Sequence, residues 1–142
     1  HDIEILLVED NPGDVRLTQE ALRESSVRNR LSVVGDGASA LSFLAREAPF
    51  ADAPPPDLIL LDLNLPRVNG REVLDHIKHH PTWKMIPVII LTTSRSQRDI
   101  QDSYARHVNS YVTKPLAFEP FMEMVRVIEK FWLRTVSLPK PN

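Results

Sequence analysis

Cysteine is absent from all 142 residues, so disulfides, thiol nucleophiles and thiolate metal sites are excluded at once. Glycine is scarce, and Gly35-Asp36-Gly37 lacks the spacing of a dinucleotide loop. No GxxxxGK stands anywhere, so a glycine-rich phosphate cradle is not expected. Long apolar runs are also missing. The longest, at residues 58–61 and 88–91, fall far short of the length that spans a membrane. Neither sign of charge dominates: the net charge is −2 and no cluster of Lys and Arg offers itself to nucleic acid. No cationic, apolar leader opens the chain, which makes the cytoplasm the default expectation. What remains is the composition of an ordinary globular protein, at a length that suits one domain with one core.

Short apolar runs alternate with helical patterns from end to end. Residues 3–8 are apolar and β-branched until Glu9-Asp10-Asn11-Pro12 stops them. Asn11 can cap the following helix with Pro12 at its first position, and Val15, Thr18 and Leu22 recur at helical spacing. A second strand at 31–34 ends in Gly35-Asp36-Gly37, and a short helix carries Ala40, Leu41 and Leu44. Ala53-Pro54-Pro55-Pro56 reads as a stiff surface connection. Residues 58–61 form a continuous apolar strand ending at Asp62, and Gly70 opens a helix with Val73, Leu74 and Ile77. A fourth strand at 88–91, a more polar helix at 97–106, a short strand at 110–112 and a last helix at 118–133 complete the series. Five strand-then-helix repeats predict a parallel sheet with helices on both faces. Unalternated strands are what burial on both sides demands.

Right-handed crossovers bring the carboxyl ends of all strands to one edge, where open α/β sheets bind their ligands. Glu9 and Asp10 end the first strand and Asp62 the third. Thr92, Thr93 and Ser94 end the fourth, and Lys114-Pro115 the fifth. Singly, each has an ordinary explanation as a helix cap, a strand-end hydroxyl or a loop dipeptide. Together they gather three carboxylates, hydroxyls and one lysine. Carboxylates this close resist ionisation unless a cation neutralises them, and an oxygen-only donor set favours a hard ion such as Mg2+.

Glu9-Asp10, the run Asp62-Leu63-Asn64-Leu65-Pro66-Arg67-Val68-Asn69-Gly70, Thr92, and Tyr111-Val112-Thr113-Lys114-Pro115 resemble the response-regulator receiver family over nearly the whole chain. The resemblance implies a flavodoxin-like, doubly wound α/β fold. Its five-stranded parallel sheet would have the order 2-1-3-4-5, with five helices in three layers. A receiver would occupy 1–135 and a tail 136–142. The resemblance further implies that Asp62 is the phosphoacceptor. Mg2+ would be held by Asp10, the Asp62 carboxylate and the Asn64 main-chain carbonyl, with Glu9 acting through water. Lys114 would pair with the phosphoryl oxygens and Thr92 would donate a hydrogen bond to them. Thr92 and Tyr111 would form the switch, Gly70 would be structural, and the Lys114–Pro115 bond would be cis. Leu65 replaces a frequent Met conservatively, whereas Thr93, at a position often Ala, adds bulk at the phosphoryl entrance. Such a protein is not an enzyme towards other substrates; it catalyses only its own phosphotransfer and dephosphorylation.

Outside that edge, His76 and His80 have a helical i, i+4 spacing but no third ligand, and read as helix-end residues. On the last helix, Phe121, Met124, Val125, Ile128 and Trp132 form one stripe, with Val127 and Phe131 on one flank and Met122 and Leu133 on the other. That arc is wider than one sheet face needs, which predicts a homodimer through Phe131, Trp132 and Leu133, with a proline-stiffened tail as an arm. No further domain is read after Pro139. The segment 131–139, with residues 8–12 and 91–94, resembles the single-domain regulators paired with bacterial and cyanobacterial phytochrome kinases. A sensor histidine kinase is then the expected partner, with neither nucleic acid nor membrane involved. A phosphate sink or shuttle without light input is the nearest alternative. A Mg2+-dependent phosphohydrolase would normally carry a second Asp where Asn64 stands. An FMN binder would find its phosphate repelled by Glu9 and Asp10.

Overall fold

The computed structural model describes residues 2–139. Five parallel strands run β1 Ile3–Val8, β2 Asn29–Val34, β3 Leu58–Leu61, β4 Val88–Thr92 and β5 Ser110–Thr113, in the spatial order β2-β1-β3-β4-β5. Between and after them come α1 Pro12–Arg23, α2 Gly37–Ala45, α3 Gly70–His79, α4 Gln97–Ala105 and α5 Phe118–Ile128. Val8 of β1 lies level with Val34 of β2 and Leu61 of β3, so the ends of these strands form one straight edge. This is the expected doubly wound fold.

Period-two side-chain alternation divides the core into two. Leu6, Val8, Ile59, Leu61 and Ile90 face α2 and α3, while Ile5, Leu7, Leu60, Ile89 and Leu91 face α1 and α5. The central strands β3 and β4 are buried throughout, whereas β2 and β5 are partly exposed edges. Side-chain caps start four helices: Asn11 for α1, Asp36 for α2, Asn69 for α3 and Ser96 for α4 each accept the amide three residues on.

Three expectations need correction. The proline-rich connection is not wholly on the surface: Ala53 and Pro56 are buried. Pro55 and Pro56 line a cavity of about 120 Å³ together with Trp83 and Pro139, so the start of the tail lies against its own chain. Pro141 lies outside the described residues. The last helix does not stay α-helical to 133. It passes into a π-helical segment, Glu129–Thr135, in which the Val136 amide bonds back to the Phe131 carbonyl. The wider winding brings Leu133, five residues after Ile128, onto the buried face, where it is 7% exposed. Leu133 and Met122 are therefore core residues, and Leu133 is not available to a partner. Val127 and Phe131 remain more than half exposed, and Phe131 meets the half-buried Trp132 edge-on at 5.4 Å. Among the described residues, no helix is long and apolar enough to cross a membrane.

Candidate phosphoacceptor and metal site

The carboxyl edge of the sheet brings together the side chains that end its strands. Lys114, one residue beyond β5, is anchored by its amide, which donates to the Thr92 carbonyl at 2.7 Å. Its buried side chain reaches back across the sheet ends to three carboxylates. The ammonium forms a close ion pair with Glu9 Oε1, and stands 3.0 Å from Asp14 Oδ2 and 3.1 Å from Asp62 Oδ2. Burial alone would lower the Lys114 pKa. The bond to Glu9, the charges of Asp62 and Glu9, and the bond to Asp14 outweigh it and hold the group well above its usual value. Glu9 shows the opposite balance. Burial pushes its carboxyl up to about 7, with the Asp62 charge adding to the rise, although Lys114 pulls it down.

Asp62 is held from several sides. Its amide donates to the Val8 carbonyl at 3.1 Å, continuing the β1–β3 ladder, and its Oδ1 accepts from the Asn64 amide at 3.2 Å. Gly70 packs directly beneath it: a Cβ there would lie 2.2 Å from the Asp62 carbonyl oxygen, so only glycine fits. Glu9 and Asp62 are buried, Asp10 is exposed, and oxygens of all three lie within 4.8 Å of one another. Three of the four carboxylates at this edge, those of Glu9, Asp14 and Asp62, meet the one ammonium, and Asp10 lies beside Glu9 and Asp62. This oxygen-only, net negative set fits a hard divalent cation.

Thr92 is fully buried at the end of β4, and its Oγ1 accepts from the Ser94 amide at 3.5 Å. Ser94 is a junction. Its carbonyl accepts the Tyr111 hydroxyl at 2.9 Å, and its own hydroxyl donates to Asp99 at 2.6 Å. Asp99 in turn pairs with Arg71 on α3 at 2.6 Å, and Arg106 joins Asp102 to Asp75. Thr92 and Tyr111 are thus connected through one residue, and α4 is tied to α3 beside them.

Glu9, Asp62, Thr92 and Lys114 converge as expected, with Asp10 at the rim. Asp14 was missed. As an acid in the first turn of a capped helix it reads as a partner of the helix dipole, and nothing in the sequence points it at Lys114. Lys114–Pro115 is not cis; among the described residues the only cis bond is Ala48–Pro49. An X–Pro bond prefers trans by about 0.5–1 kcal/mol unless packing opposes it. Leu116, next in the loop, is 92% exposed and supplies no such packing. Thr93 is exposed at the mouth of the site. His80 lies beyond the end of α3, stacked on Trp83 at 3.8 Å. Its Nδ1 accepts the amides of Thr82 and Trp83, so the histidine spacing serves a turn.

Residues 5–126 match the family described as the response regulator receiver domain. The chain is 49% identical over 135 residues to the response regulator Rcp1 of Synechocystis sp., covering 95% of this chain and 92% of Rcp1. Two crystal structures are similar over nearly their full length. The Mn2+-bound form of Rcp1 has a TM-score of 0.94 at 48% identity, covering 97% of this chain and 99% of that one. The phosphorylated cyanobacterial phytochrome response regulator RcpA has a TM-score of 0.95 at 49% identity, covering 99% and 100%.

Proposed function

From the premise that the chain belongs to the response regulator receiver family, we propose that Asp62 accepts a phosphoryl group from a sensor histidine kinase, with Mg2+ as the cofactor. The observation that carries this reading is the Lys114 ammonium 3.1 Å from Asp62 Oδ2, inside a group of carboxylates suited to a divalent cation. Asp10, the Asp62 carboxylate and the Asn64 main-chain carbonyl would hold Mg2+, with Glu9 acting through water. The ion supplies positive charge beside the transferring oxygens.

The chain's own residues do the rest. The buried Asp62 carboxylate attacks phosphorus in line. The bond from phosphorus to the donor imidazole breaks as the bond to the Asp62 oxygen forms, and the imidazole leaves with the electron pair. Lys114 turns a hydrogen bond from the Asp62 oxygen to a phosphoryl oxygen, and Thr92 donates a second. Drawing the Thr92 hydroxyl inwards removes the acceptor of the Ser94 amide. Because the Ser94 carbonyl holds Tyr111, the change reaches β5 and α4. The acyl phosphate is labile, so the signal can be erased by hydrolysis.

The kinase is proposed to be a phytochrome. Similarity to Rcp1 and to a cyanobacterial phytochrome response regulator over nearly their full lengths supports this. The test is phosphotransfer from a panel of purified histidine kinases, phytochromes included, each assayed after red and far-red light. Faster transfer from a phytochrome, changing with light, is expected. Equal transfer from kinases without light input would instead favour a shuttle or phosphate sink.

We also propose a homodimer formed through the exposed side of α5 and its π-helical extension. Val127 and Phe131 give it an apolar centre, and Trp132 braces Phe131 from behind.

A further inference from the structure

We infer that Asp14 is a positioning residue for Lys114, the carboxylate that keeps the ammonium in the pocket once Glu9 and Asp62 are committed to a divalent cation. The inference rests on the reading of this edge as a metal-assisted phosphoacceptor site. Lys114 has three N–H donors and meets three carboxylates, those of Glu9, Asp14 and Asp62, so every donor is engaged. Two of these partners, Glu9 and Asp62, belong to the trio whose oxygens could hold a metal; Asp14 does not. A carboxylate sharing its charge with a cation attracts a neighbouring ammonium less, and the cation itself repels that ammonium. Of the three anchors, only Asp14 then keeps its charge for Lys114. Asp62 loses further charge when it forms an acyl phosphate, so the Asp14 bond has to outlast both events.

The local structure suits Asp14 to this task. It sits in the first turn of α1, where its amide donates to the Asn11 side chain at 3.1 Å, and its carbonyl accepts the buried Thr18 hydroxyl at 2.8 Å. Its charge is favoured by the helix N-terminus. The same loop holds Glu9, whose Oε2 accepts the Asn11 amide at 3.2 Å. One capped turn therefore sets two of the three anchors of Lys114, Glu9 and Asp14. With its side chain 4% exposed, Lys114 has little water to replace a lost partner.

Asp14→Asn and Asp14→Ala remove the same charge, but only Asn leaves an oxygen for the ammonium, so their difference isolates positioning from long-range electrostatics. The Lys114 ammonium is followed by hydrogen exchange in 1H–15N spectra at saturating Mg2+, with thermal unfolding checking that both variants fold. Wild type should keep a protected signal, Asp14→Asn a weaker but still protected one, and Asp14→Ala should exchange about tenfold faster than wild type. Labelling by acetyl phosphate should be about fivefold slower in Asp14→Ala than in Asp14→Asn. Identical Lys114 exchange in all three proteins, or equal labelling of the two variants, overturns the assignment. If wild type is not labelled at all, the phosphoacceptor reading fails, while the exchange measurement still judges Asp14.

Discussion

Glu9 is a buried acid whose pKa has risen from 4.5 to about 7, which gives the site a definite pH behaviour. Between those values the folded protein holds a proton that the unfolded chain has lost. The stabilising contribution is therefore complete below pH 4.5 and disappears as the pH rises through 7. The proposed divalent cation would compete for the same carboxylate. Titration calorimetry should find Mg2+ affinity falling by up to about tenfold per unit below pH 7, with proton release on binding. The dependence should disappear in Glu9→Gln. At Gly70 the constraint is steric. A methyl group would come within 2.2 Å of the Asp62 carbonyl and 2.6 Å of Leu63 Cα, so backbone must move. Gly70→Ala should lose about 1–3 kcal/mol in urea unfolding and also bind Mg2+ more weakly, because the displaced backbone carries Asp62.

At the scale of elements, the π-helical end of the chain and the β4–α4 junction make separate predictions. Leu133 is in the core, whereas Phe131, two residues before it, is 51% exposed. Leu133→Ala should destabilise by about 2–5 kcal/mol, whereas Phe131→Ala should leave the stability of a dilute monomer nearly unchanged. At the junction, Ser94 links the Thr92 hydroxyl to the Tyr111 hydroxyl. Thr92→Ala should still accept phosphate, yet the Tyr111 ring signals should fail to shift on phosphorylation. A full wild-type shift in that variant would break the coupling.

The difference between Leu133 and Phe131 also shows where sequence reading stops. Apolar β3 and β4 could only be two-sided central strands, and the residues ending them had to share an edge, so Asp62, Thr92, Glu9 and Lys114 were legible. Leu133 was misplaced because a constant helical period was carried through a segment that winds more widely. Asp14 was invisible because its helix-capping context explains it locally, and its contact with Lys114 spans 100 residues. The Lys114–Pro115 isomer depends on loop packing, which no spacing encodes. The surroundings of Pro56 likewise depend on where Trp83 and Pro139 come to rest.

The molecule as a whole pairs a rigid sheet with a charged edge and an exposed apolar helix side. Sedimentation of the wild type against Phe131→Ala tests the proposed dimer, and loss of the dimer in the variant is expected. The charged edge is proposed to be a metal-assisted phosphoacceptor site with Asp62 as the nucleophile. The most direct test is acetyl phosphate labelling of wild type and Asp62→Asn, with Mg2+ and with EDTA, followed by hydroxylamine and mass spectrometry. One hydroxylamine-sensitive phosphoryl group should appear on wild type with Mg2+ and nowhere else, whereas retained labelling of Asp62→Asn, or full labelling of wild type in EDTA, would contradict the account.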